Sequence, residues 1–211
     1  MNRFLSPLFF FLALLFVIVY VALKFKLNKD FSFARVFPFE CNKTSFAIKT
    51  SFILVFLFSV CSICFYLNVY FNAFSNKYIL ISTFCTFAIC ALFLMLNLIN
   101  LVNLKIHFVV FSLFATLVTA QSVCLGFHAI SAYKIDGVNW VFILIACLHF
   151  LKALFELILV SPLFKFSFLM DVNVEDGTLK RPKFIRLAFY EWLYLLFFIV
   201  NGFLLLITRT I

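Results

Sequence analysis

The chain has 211 residues, of which 66% are apolar and only 12% charged, against roughly 45–50% apolar and 25% charged in a soluble domain. A mean hydropathy of +1.19, spread over the whole length, exceeds what one buried helix or a cleaved signal peptide explains and makes the chain a polytopic membrane protein. The net charge of +9 would point to nucleic acid in a soluble protein; here it faces anionic headgroups, so membrane lipids are the expected partners and nucleic acid is not.

At about 20 apolar residues per crossing, the sequence accommodates six spans in a single transmembrane domain, residues 1–211. The first span, 4–23, follows Arg3 and carries Pro7 near its start, where a helix tolerates proline. It lacks a clear small-x-small cleavage site and reads as a retained anchor. A polar segment, 24–49, sets Lys24, Lys26, Lys29, Arg35, Lys43 and Lys49 against Asp30 and Glu40. Within it, Asn42-Lys43-Thr44 is a glycosylation sequon, which makes Asn42 a candidate if this loop faces a lumen.

The second span, 50–71, joins the third, 78–102, through a short turn, which forces an antiparallel hairpin. Another tight turn, 103–107, leads to the fourth span, 108–130, and a linker with the turn dipeptide Asp136-Gly137 leads to the fifth, 140–160. The polar region 161–186 precedes the sixth, 187–208. Its Asp171-x-Asn173-x-Glu175 spacing resembles a calcium loop, but Asp176 and Pro182 occupy the positions that such a loop gives to glycine and a bidentate glutamate, which excludes it. Six of the seven cysteines fall inside apolar runs, where a thiol acts as a small hydrophobe. Long runs without strand alternation, in a solvent that leaves no backbone group unpaired, predict an all-α transmembrane helix bundle.

Charged groups inside a span are costly and face the bundle interior, so they are the first functional candidates. The fifth span holds His149, Lys152 and Glu156, whose spacing of three and four residues puts them on one helix face. Lys152 and Glu156 can neutralise each other and pin the packing, or mark a headgroup, ion or proton site. Glu191 lies one turn inside the sixth span, before the interfacial residue Trp192. Gln121 belongs to a polar patch with Thr116, Thr119 and Ser122 that fits hydrogen bonding between helices. His107 and His128 stand near opposite ends of one span, about 30 Å apart, and cannot share a metal. No nucleophile motif, phosphate-binding glycine loop or nucleotide fingerprint occurs, so the sequence offers no catalytic residue, metal site or cofactor.

Around the fourth span the chain reads Ile106-His107-x-x-x-Phe111-x-x-Phe114-Ala115, with Gln121 further along, and the sixth contains Glu191-Trp192 after a polar loop. With six spans and this length, the chain resembles the superfamily that unites the damage-regulated autophagy modulators (DRAM), Golgi proteins of GPI-anchor lipid remodelling, and plasma-membrane regulators of phosphoinositide supply. The resemblance covers about half the chain, from Lys105 on, and rests on short motifs. It implies a non-enzymatic regulator or adaptor in autophagy or membrane-lipid handling, placed in the endomembrane system (lysosome, Golgi or ER) or the plasma membrane, with His107 and Glu191 the positions to test. It also implies cytosolic termini and a lumenal first loop. The charge rule implies the reverse, because twelve of the seventeen Lys and Arg residues lie in the first, third and fifth loops. Two other functions stay open on the residues alone: a small transporter or channel using the stripe in the fifth span, and a structural subunit of a larger complex with other membrane proteins.

Overall fold

Hydrocarbon supplies no partner for backbone N–H and C=O groups, so an apolar run of membrane-spanning length closes its hydrogen bonds within itself, as a helix. The computed structural model describes residues 4–27, 31–33, 36–38, 45–72, 76–99, 104–136, 139–160, 173–175, 178–180 and 185–210. Six helices follow in order: α1 (Leu5–Leu27), α2 (Ser45–Asn72), α3 (Lys77–Leu98), α4 (Leu104–Asp136), α5 (Val141–Val160) and α6 (Arg186–Thr210). All six are long and apolar enough to cross a membrane, and the chain is a multi-pass integral membrane protein built as an all-α bundle. Between α5 and α6, β1 (Asn173–Glu175) and β2 (Thr178–Lys180) pair antiparallel, with Val174 opposite Leu179. The region compared above with an ion-binding loop thus contains a small hairpin.

Helices α2, α4 and α6 outrun the spans read from hydropathy, whereas α3 ends at Leu98, short of the expected 102. α4 is 33 residues long, against a predicted 108–130, so His107 belongs to its first turn and not to a connecting turn. α2 starts at Ser45 and carries Lys49 within it. Polar residues at these ends lower a hydropathy average without breaking helical hydrogen bonding, which is why hydropathy finds the membrane segment and misses the helix end. Asparagines start two of the helices: Asn76 accepts from the backbone N–H of Tyr78 at 2.9 Å, and Asn139 from that of Val141 at 3.2 Å.

Helices α1 to α5 pack as successive antiparallel neighbours, and α6 packs on α4, α5 and α1 and closes the bundle. The centre is therefore α4 and α6, with 56% and 61% of their apolar stretches buried against 22% for α1. α2, α4 and α6 begin where α1, α3 and α5 finish. The segments at that end, helix termini included, hold twelve of the seventeen Lys and Arg residues; it is the basic face, and the other end is the opposite face. Aromatic rings fill much of the core: Phe58 stands edge-on to Phe93 at 5.6 Å and to Phe198 at 5.9 Å. Helix α5 is turned inside out relative to a soluble helix. Its Leu151, Leu154, Leu157 and Ile158 are exposed, whereas His149 and Glu156 are buried.

The approach of α4 to α5 depends on Gly126, where a Cβ would stand 2.9 Å from the ring of Phe150. Gly126→Leu should overpack this contact, at a cost of about 1–3 kcal/mol, and lower the thermal midpoint in detergent. Adding Phe150→Ala should recover part of the loss; a midpoint unchanged by Gly126→Leu alone would show that the two helices do not meet there.

Candidate functional site

Buried charge must be paired and hydrogen-bonded to be tolerated in hydrocarbon, and the middle of the bundle meets that demand through a single hydroxyl. Ser122 of α4 accepts from Lys152 Nζ at 2.5 Å and can give its proton to Glu156 Oε2 at 2.9 Å. Lys152 Nζ also lies 2.7 Å from Glu156 Oε1, a pair four residues apart on α5. Asn201 of α6 donates to Ser122 at 3.2 Å and to Gln121 Oε1 at 3.0 Å, and lies beside His149. Gln121 in turn donates to Thr86 Oγ1 of α3 at 2.8 Å. One network thus ties α3, α4, α5 and α6 together. It is neutral as a whole, because Lys152 and Glu156 cancel. Tyr194 adds a bond from its hydroxyl to the Glu156 backbone carbonyl at 2.6 Å.

A second polar site lies at the basic face. His107 in the first turn of α4 and Glu191 in the second turn of α6 are both fully buried, with His107 Nε2 2.7 Å from Glu191 Oε1. Residues 36–38 cross over them as a strap. Phe37 packs edge-on against the His107 ring at 5.9 Å, the Trp192 indole N–H donates to the Val36 carbonyl at 2.8 Å, and the Tyr20 hydroxyl bonds the Pro38 carbonyl. Val36 and Phe37 are buried in consequence. Glu191 Oε2 has no hydrogen-bond partner among the described residues, so one carboxylate oxygen is unspent in a closed, apolar setting.

About 22 Å of α4 separates His107 from Ser122, and aromatic side chains occupy the interval. Phe111 stands 5.8 Å from Tyr194, edge-on, and 6.3 Å from Phe114, while Tyr194 stands 5.6 Å from Phe197. The six candidates named from the sequence therefore fall into two groups. His149, Lys152, Glu156 and Gln121 join at mid-bundle; His107 and Glu191 join at the basic face. Asn42 lies outside the described residues. Reading the sequence missed Asn201 and Thr86, which complete the central network. A lone amide inside an apolar run, Asn201-Gly202, was the available signal for the first; Thr86 has none, since threonine is common in spans. Among the described residues no group of three or more His, Cys, Asp or Glu side chains is placed to hold a metal ion.

The central pair should behave as a unit. Lys152→Met or Glu156→Gln alone leaves the partner charge or its hydrogen bonds unmatched and should cost on the order of 3 kcal/mol. The double substitution removes both charges and should cost less than the sum of the two. Equilibrium unfolding of the four species in mild detergent measures the coupling; additive losses would mean that the two side chains do not interact. Comparison with protein-family models, with curated proteins and with solved structures finds no match for this chain.

Proposed function

We propose that the chain is a non-enzymatic regulator or adaptor in membrane-lipid handling or autophagy, of the DRAM-like kind, working in the endomembrane system or the plasma membrane. The observation that supports this reading is the contact of His107 with Glu191 at 2.7 Å. These two residues sit in the two motifs on which the resemblance rests, and they are 84 positions apart in the chain. A pair that is fully buried, strapped over by Phe37 and set at the ends of two central helices fixes the shape of the basic face. That fits a protein recognised by its surface better than one that turns over a substrate.

Cells depleted of the protein should show altered autophagic turnover or altered surface levels of lipid-anchored proteins, restored by the wild-type chain and poorly by Glu191→Leu. Purified protein in lipid vesicles should leave the lipids unconsumed. Turnover of a vesicle lipid that disappears in Glu191→Gln would overturn the proposal.

A second reading, a small transporter or channel, is favoured by the convergence of Lys152, Glu156, Ser122, Asn201 and His149 at mid-bundle, with the Lys152 side chain still 10% exposed. It predicts ion or solute flux in liposomes that falls with Glu156→Gln and with Lys152→Met. Flux indifferent to both substitutions would remove it.

A further inference from the structure

Between the central network and the opposite face the bundle interior carries two imidazoles. His128 lies six residues beyond Ser122 on α4, and His149 lies seven residues before Glu156 on α5, so each stands about 10 Å nearer the opposite face than its network neighbour. Both side chains are buried, and each keeps an Nδ1 with no hydrogen-bond partner among the described residues. The two rings are near enough for their charges to interact. His149 has the same relation to Lys152, and His128 to Arg209 in the last turn of α6. Arg209 in turn donates to the Val69 carbonyl at 3.5 Å, near the end of α2, which places it at the opposite face. A line of polar side chains thus leads inward from Arg209 through His128, His149, Asn201 and Ser122 to the central pair. On the side of the basic face, the rings of Phe111, Phe114, Tyr194 and Phe197 occupy the corresponding interval.

We propose that His128 and His149 carry protons between the opposite face and Glu156, so that the buried carboxylate is loaded from that side alone. The inference rests on the transport reading and names its ion. An imidazole takes a proton on one ring nitrogen and releases one from the other, so neither ring ends the step charged. The proton released by His149 goes to the Ser122 hydroxyl, which gives its own to Glu156. The carboxylate becomes a carboxylic acid, Lys152 stays an ammonium, and the site gains one positive charge. A hydrated metal ion does not fit the same line. Gly126 of α4 leaves no room for a Cβ beside Phe150, the neighbour of His149, and Ala129, Ala146 and Leu204 pack together in the same half of the bundle. The other charged or titratable side chains that α4, α5 and α6 turn toward this line, among the described residues, are Lys152, Arg209 and Tyr194. The Tyr194 hydroxyl is committed to the Glu156 backbone carbonyl.

The test uses the full-length protein in phosphatidylcholine vesicles and time-resolved infrared spectroscopy after protons are photoreleased from a caged acid outside. An impermeant amine-reactive biotin marks the vesicles whose basic face points outward and lets the two orientations be separated. The carbonyl stretch of protonated Glu156, assigned by its absence in Glu156→Gln, should rise promptly where the opposite face points outward and at least several-fold more slowly where the basic face does. His128→Gln and His149→Gln, with helix content and elution volume as in the wild type, should each slow the prompt rise several-fold. Both should leave its final amplitude close to that of the wild type, a split between rate and extent that a purely structural role would not give.

A rise of equal speed from either side in the wild type, or one that neither histidine substitution slows, would overturn the proposal. So would a Glu156 that takes up no proton at any pH at which the bundle keeps its helix content. If Glu156 were loaded as expected while flux ignored Glu156→Gln and Lys152→Met, the transport reading would fail and the proton path would stand. Flux that fell with both substitutions, beside a Glu156 signal indifferent to side, would mean the opposite.

Discussion

Placing an ammonium and a carboxylate inside hydrocarbon is the demand around which the bundle is organised. Either charge alone is expensive there, and the pair is tolerable only with its remaining hydrogen-bonding capacity filled. Ser122 does much of that filling, and its position dictates who the neighbours must be. Consecutive residues on a helix point about 100° apart, so Gln121 and Ser122 face different helices. Ser122 meets Lys152 and Glu156 on α5, Gln121 meets Thr86 on α3, and Asn201 on α6 bonds both. With that geometry α4 has to be the central helix and α6 has to lie beside it, as the burial of these two helices independently shows. Polar groups thus give this apolar chain its arrangement, since helix contact in a bilayer lacks the hydrophobic drive that orders a soluble core.

Much of this was legible before any coordinates. Hydropathy finds the six helices because the bilayer permits few other solutions, and the spacing of His149, Lys152 and Glu156 gives the inward face of α5 because helical periodicity is local. What the sequence hides is the pairing between helices. His107 and Glu191 meet across 84 positions, and nothing in the period of either helix selects the other as partner. His107 also fell in an expected turn, since Lys105 and His107 depress the hydropathy of a stretch that is helical from Leu104. Asn201 was passed over because a single amide in an apolar run carries no spacing signal. The strap was invisible for a related reason: Val36, Phe37 and Pro38 stand in a strongly charged segment, where burial is not the default.

The two polar sites are held apart. Phe111, Phe114, Tyr194 and Phe197 fill the bundle between them with ring contacts, and aromatic surface offers little to an ion that must shed its water. A rearrangement at mid-bundle would have to move these rings to be felt at His107 and Glu191, and packed cores shift between discrete arrangements more readily than they deform. The aromatic layer makes the basic face a rigid platform in its own right, with the strap closed over the His107–Glu191 pair near the starts of α4 and α6.

The charge of that platform comes from side chains. Three helices start at the basic face and three end there, so the helix dipoles, positive at each start and negative at each finish, largely cancel. What remains is the excess of Lys and Arg in the connecting segments. This excess acts on orientation during insertion and afterwards on the leaflet it faces, where each basic residue near an anionic surface contributes about 1 kcal/mol.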